Sequence, residues 1–173
     1  MVWSCLVSIL PGMAQTEKLT DYVNPFVGTD GYGNVYPGAQ IPFGGIQISP
    51  DTDSRFYDAA SGYKYNHLTL MGFSLTHLSG TGIPDLGDFL FIPGTGEMKL
   101  EPGTHEDPDQ GYRSRYSHDK EWASPNYYAV ELAEYGVKAE MTSGVRSGMF
   151  RFTYPESDNA FIMIDMNLSL IHI

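Results

Sequence analysis

The sequence has a single cysteine, Cys5, among 173 residues. A disulfide within the chain and a cysteine-built zinc site are therefore both excluded. Basic residues are scarce: 10 Lys and Arg stand against 21 Asp and Glu, for a net charge of −11. So few cations cannot neutralise a phosphate backbone, which argues against nucleic-acid binding. A membrane-length apolar run is missing as well. Val2 to Leu10 is interrupted by Ser4 and Ser8 and is too short for a span. The histidines His67, His77, His105 and His118 fall at no metal-ligand spacing, so no zinc site is read. Gly80-Thr81-Gly82 lacks the lysine of a phosphate loop, and Gly28 to Gly33 lacks the strand-then-helix setting of a dinucleotide site. Asp51 and Asp53 flank Thr52, but the residues after them do not complete a calcium loop. Such pairs in turns usually bond backbone amides.

What is present describes a globular β protein. Hydrophobic residues make up 42% and aromatics 13%, which is too apolar for intrinsic disorder. A chain of this length buries roughly 70% of its unfolded surface in one domain and needs no covalent staple. The 19 glycines and 11 prolines suit many turns, and 12 tyrosines with 9 phenylalanines suit strands. Residues 1–14 differ from the rest. An apolar run, the breaker Pro11 and the small residues Gly12 and Ala14 before Gln15 read as a signal-peptide remnant. That predicts a secreted or periplasmic protein, with Cys5 removed on maturation. The usual basic start is missing. The competing reading is a hydrophobic N-terminus on a cytoplasmic protein.

From Asp21 to Pro50 the density of Gly and Pro excludes a helix, and Ile46-Gln47-Ile48 fits a strand between turns. His67 to Leu75 is strand or short helix. Phe89 to Ile92 reads as a buried strand closed by Pro93-Gly94, and Glu101 to Ser124 as a long polar loop with room for a strand near Tyr112 to Tyr116. Tyr128, Val130 and Leu132 alternate with Ala129, Glu131 and Ala133; after the Tyr135-Gly136 turn, Val137, Ala139 and Met141 alternate again. This is a β-hairpin with one apolar face. Met149 to Tyr154 is a further strand, and Ala160 to Met166 is apolar enough to be buried on both faces. Four strands in succession predict an antiparallel sheet, half of a β-sandwich. The sandwich domain is expected over 15–167. Residues 168–173 read as a foreign tail, and the chain as a fragment.

The densest polar constellation is the glycine-flanked segment from Gly72 to Phe89. It carries Thr76, His77, Ser79, Thr81, Asp85 and Asp88. Glycine turns let backbone amides approach a ligand, and short polar side chains can bond its hydroxyls. The aspartates could accept from a sugar or act as carboxylate catalysts. Equally, each aspartate could cap local amides in a polar turn. The residues alone leave both readings open.

A resemblance bears on the choice. Asn24-Pro-Phe-Val-Gly-Thr, Tyr36-Pro-Gly-Ala-Gln-Ile-Pro-Phe-Gly, Ser49-Pro-Asp, Ser61-Gly-Tyr, Gly72-Phe-Ser-Leu-Thr-His-Leu-Ser-Gly-Thr-Gly and Asp85-Leu-Gly-Asp occur in one order. Tyr127-Tyr-Ala-Val-Glu-Leu and Tyr135-Gly-Val-Lys-Ala-Glu-Met-Thr follow. Together they resemble the N-terminal domain of glycoside hydrolase family 92, over about Asp21 to Asn167. The resemblance implies an antiparallel β-sandwich of the galactose-mutarotase-like supersandwich type, incomplete in this chain. It implies a secreted, calcium-dependent, inverting exo-α-mannosidase acting on mannose-containing glycans. The calcium ligands and both catalytic carboxylates would lie in an (α/α)6 barrel that follows in sequence and is absent here. Asp85 and Asp88 are then not the catalytic pair, and no catalytic or metal-binding residue is expected in this chain. The loops at Tyr32 to Pro37, Ser61 to Tyr63 and Thr76 to Asp88 would shape the sugar pocket. Tyr63, His77, Ser79, Thr81, Asp85 and Asp88 are the candidate substrate-binding residues. The alternative is a free-standing β-sandwich that binds carbohydrate or protein without catalysis.

Overall fold

The computed structural model describes residues 17–53, 57–84 and 86–168. The expected signal-peptide remnant at 1–14 and most of the expected tail lie outside them. Among the described residues the fold is antiparallel β, with only short 3-10 turns such as Leu19–Tyr22 and Pro108–Gln110. No helix there is long and apolar enough to cross a membrane. The strands are β1 (Ser49–Asp51), β2 (Thr69–Leu70), β3 (Gly72–Ser74), β4 (Leu90–Thr95) and β5 (Ser114–Arg115), then β6 (Glu121–Ser124), β7 (Tyr127–Leu132), β8 (Val137–Ser143), β9 (Gly148–Thr153) and β10 (Ala160–Asp165). One sheet has the order β1-β3-β4-β10, a second β6-β7-β8-β9, and β2 with β5 makes a small ribbon.

The two large sheets face each other. Registry puts Phe73, Phe91 and Ile164 on one face of the first sheet, and Tyr128, Met141 and Phe150 on one face of the second. Rings meet across the gap: Phe91 and Phe150 lie 5.1 Å apart between centroids, Phe73 and Phe152 6.1 Å. Val130, Val137, Ala139 and Met141 are buried in this layer. The alternation in the β7–β8 hairpin therefore points its apolar residues inward as expected. The other face of the first sheet is covered by the segment that carries Tyr112, which packs with Met71, Leu90 and Ile92.

Several expectations change. Ile46 to Ile48 is not a strand; Ile48 makes only a bridge to Ala39, and pairing proper begins at Ser49. Pro93-Gly94 does not close β4, which runs through both residues against β10. Pro93 is tolerated because β3 pairs with β4 only at Phe73 and Phe91, so nothing on that side needs its missing donor. Gly94 leaves room for the Phe161 ring, which a Cβ there would approach to 2.4 Å. In the Glu101–Ser124 stretch β5 falls where a strand near Tyr112 to Tyr116 is expected, and the unexpected element is β6 at its end. β6 supplies the fourth strand of the second sheet, while Ala160–Asp165 crosses to the first. Nor is β10 buried on both faces. It is an edge strand whose inward-facing Ile162 and Ile164 stay half exposed, at 53% and 54%, because β9, the facing edge of the second sheet, does not cover them.

Candidate functional site

The three loop segments singled out in the sequence converge at one end of the sandwich. The Gly80 amide donates to the Asn34 carbonyl at 2.7 Å, which ties the Thr76–Asp88 segment to the Tyr32–Pro37 loop. Tyr57 packs over Gly82 so closely that a Cβ there would lie 2.1 Å from the ring. Tyr32 and Tyr57 face each other at 6.4 Å, and both are exposed. Lys64 donates to the Gly31 carbonyl and lies 5.9 Å over the Tyr32 ring.

The candidate residues separate into surface and interior. Ser79 is exposed on the turn, and Thr81 is half buried, its hydroxyl accepting from the Ile83 amide at 3.3 Å. Asp88 is half buried, 3.5 Å from the Thr76 hydroxyl, with φ of 36°. Asp85 lies outside the described residues. His77 and Tyr63 are interior. His77 is 6% exposed; its Nδ1 donates to the Gln47 carbonyl at 2.6 Å, and its Nε2 is 2.9 Å from Asp51 Oδ1 and 3.0 Å from Ser74 Oγ. Burial pulls the imidazole pKa down, but Asp51 and the Gln47 carbonyl outweigh it and leave the pKa above its ordinary value. Tyr63 is 1% exposed and donates to Glu121 at 2.9 Å. Burial first, then the neighbouring Tyr116 and Glu121, push its hydroxyl pKa well above the usual range. The same carboxylate accepts from Tyr128 and meets His118 Nδ1 at 2.6 Å. Among the described candidates, Ser79 is exposed, Thr81 and Asp88 are half buried, and His77 and Tyr63 spend their polar atoms inside the domain.

Sequence reasoning missed Tyr57, an exposed ring with no motif of its own; its place over Gly82 emerges only when two loops meet. His67 and His105, which no sequence spacing links, also meet: their ring centroids lie 4.0 Å apart with the planes tilted by 48°. His67 bonds Thr52 at 3.0 Å and His105 bonds Thr69 at 2.8 Å. Asp53 lies 3.5 Å from His105 and 3.9 Å from the buried Arg113. The Asp51–Asp53 pair does not fit a calcium site, since one carboxylate faces an imidazole and the other a guanidinium. Among the described residues no three His, Cys, Asp or Glu side chains gather to hold a metal ion.

The fold and its loop end define a β-sandwich that presents hydroxyls, glycine turns and tyrosine rings along one rim. The model of the glycosyl hydrolase family 92 N-terminal domain matches residues 22–172, and the chain belongs to that family. An uncharacterised secreted glycosidase of Arthroderma benhamiae is 30% identical over 139 residues, which cover 79% of this chain and 17% of that protein. A family 92 α-mannosidase of Bacteroides thetaiotaomicron, solved alone and with mannoimidazole, is 99% identical over 87% of this chain, with a TM-score of 0.86. An inverting family 92 mannosidase of the same species is 28% identical over 87% of the chain, with a TM-score of 0.69. The chain spans about a fifth of the length of these relatives, 17% of the first and 20% of the solved chains.

Proposed function

We propose that this chain is the pocket-shaping N-terminal domain of a secreted, calcium-dependent, inverting exo-α-mannosidase. The observation that carries the reading is the 99% identity to an α-mannosidase of which the chain covers 20%. The convergence of the three loops supports it, because a rim of glycine turns, hydroxyls and exposed tyrosines suits sugar hydroxyls and ring faces. Inverting hydrolysis needs two carboxylates about 6.5–9.5 Å apart with a water between them. Asp51 faces His77 and Asp53 faces Arg113 inside the domain, both buried, so they are not offered for that role. On this reading the acid, the base and the calcium ligands belong to the barrel that follows, and this domain supplies one wall of the mannoside pocket. Calcium, when bound there, orients and polarises the sugar.

The test is complementation. The chain alone should hydrolyse neither aryl α-mannosides nor oligomannose, with or without calcium. Joined to the remaining four-fifths of a family 92 enzyme, it should support calcium-dependent turnover with inversion, read by NMR of the first-formed anomer. Turnover by the isolated chain, or a joined protein inert on every mannoside, refutes the reading.

A further inference from the structure

We propose that His77 is a positioning residue of the mannoside site, holding the three rim loops in one arrangement without touching the sugar. The inference rests on the reading of these loops as pocket wall.

One ring reaches all three segments. His77 opens the glycine-rich turn at Thr76–Asp88. Its ring packs on Tyr36, of the Tyr32–Pro37 loop, with centroids 5.1 Å apart. The Ser61–Tyr63 turn presses on it through Gly62, where a Cβ would lie 2.9 Å from the imidazole carbon and 2.3 Å from Asp51 Oδ1. Gly62 also stands at φ 88°, so that close approach needs glycine twice over. Beneath the ring, Asp51 of β1, Ser74 of β3 and the Gln47 carbonyl bind its two nitrogens.

The hydrogen-bond partners favour a doubly protonated ring, in line with a pKa raised by Asp51 and the Gln47 carbonyl. A carbonyl only accepts, so Nδ1 carries a proton toward Gln47. A carboxylate also accepts, so Nε2 carries one toward Asp51. In that form the ring is an imidazolium paired with a buried aspartate, with both charges out of water. The charged groups packed on it reduce to that one: Ser74, Gln47, Gly62 and Tyr36 bring no charge. Breaking one side of such a pair leaves the other charge buried and unpaired, so each partner holds the other in place. What the pair anchors is the root of the turn that carries Ser79 and Thr81. Farther along that turn, the Gly80 amide meets Asn34 and the Gly87 amide donates to the Thr76 carbonyl at 3.0 Å.

The test uses the full-length Bacteroides α-mannosidase, which is 99% identical over the shared part. Four proteins are compared: wild type, His77→Gln, Asp51→Asn, and Met141→Ala as a core variant matched for loss of Tm. Steady-state kinetics and amide hydrogen exchange are read on each, and activity is followed from pH 5 to 9. Positioning predicts that His77→Gln and Asp51→Asn lose at least tenfold in kcat/KM. The Gly80 and Gly87 amides should exchange faster in both, and any wild-type loss of activity toward alkaline pH should flatten in His77→Gln. Met141→Ala should keep kcat/KM and leave those two amides protected. Lost kcat/KM with unchanged exchange at Gly80 and Gly87 would mean that the ring touches substrate, and would overturn the proposal. So would unchanged kinetics and exchange in both variants, or an equal kinetic loss in Met141→Ala. If the wild type shows no mannosidase activity, the functional reading fails, and exchange at Gly80 still decides whether His77 anchors the rim.

Discussion

Replacing Gly62 with alanine separates two costs that are usually confounded. The backbone there has φ 88°, in the left-handed region, where a side chain costs about 1–2 kcal/mol. The new methyl would also sit 2.3 Å from Asp51 Oδ1 and 3.0 Å from His77 Nε2, inside a buried ion pair that cannot move without losing its bonds. Overpacking of this kind adds about 1–3 kcal/mol. Gly80 supplies the control. Its φ is 72°, but a Cβ there meets nothing within 4 Å. Gly80→Ala should therefore lose only about 1–2 kcal/mol to backbone strain, and Gly62→Ala about 2–5 kcal/mol in all. Gly62→Ala should therefore melt at a lower temperature than Gly80→Ala. The measurement is the unfolding transition of both variants by calorimetry, in the enzyme that carries this domain. Equal losses would refute the claim that the Ser61–Tyr63 turn is braced against the Asp51–His77 pair. A larger loss in Gly80→Ala would reverse it.

The His77 imidazole binds its proton more tightly folded than unfolded, so its contribution to stability is complete below about pH 6.5 and fades as pH rises through the folded pKa. Urea midpoints should fall from pH 6 toward alkaline pH and flatten in Asp51→Asn; a midpoint rising over that range would refute the sign. The free edge of β10, with Ile162 and Ile164 half exposed, should make the isolated chain associate and bind a hydrophobic dye. Ile162→Lys should raise the monomer fraction in light scattering, and an isolated wild-type chain that is monomeric and dye-silent would count against an open edge.

The β7–β8 hairpin was legible because its information is local. Period-two alternation and a Tyr135-Gly136 turn suffice to set pairing and face, and registry such as Val130 against Ala139 follows. Strand membership was not legible. β9 and β10 are consecutive, yet the chain between them crosses to the other sheet, and the fourth strand is β6, on the opposite edge beside β7. Which sheet a strand joins depends on partners far away in sequence, such as Ile164 against Phe91. Pro93-Gly94 misled for a related reason. A proline ends a strand only where its missing donor is needed, and whether it is needed depends on the neighbour.

The candidate site divides along the same line, and the division explains why polar residues in a glycine-rich stretch read two ways. Composition reports that Thr76 to Asp88 is rich in groups able to bond a ligand; it does not report which of them the domain has already used. His77 and Tyr63 are used. Their partners, Asp51 and Glu121, stand 26 and 58 residues away, and each pairing satisfies a buried group that would otherwise be costly. Among the described residues Ser79 and Thr81 make no such distant bond; Ser79 is exposed on the turn and Thr81 half buried. In the Thr76–Asp88 segment, exposed residues and the bracing His77 are therefore near neighbours in sequence. The bracing residues carry stability, the exposed ones keep their polar groups toward solvent, and both can constrain the same stretch of sequence. Distance to the nearest internal partner separates the two roles, and that distance exists only once the chain has folded.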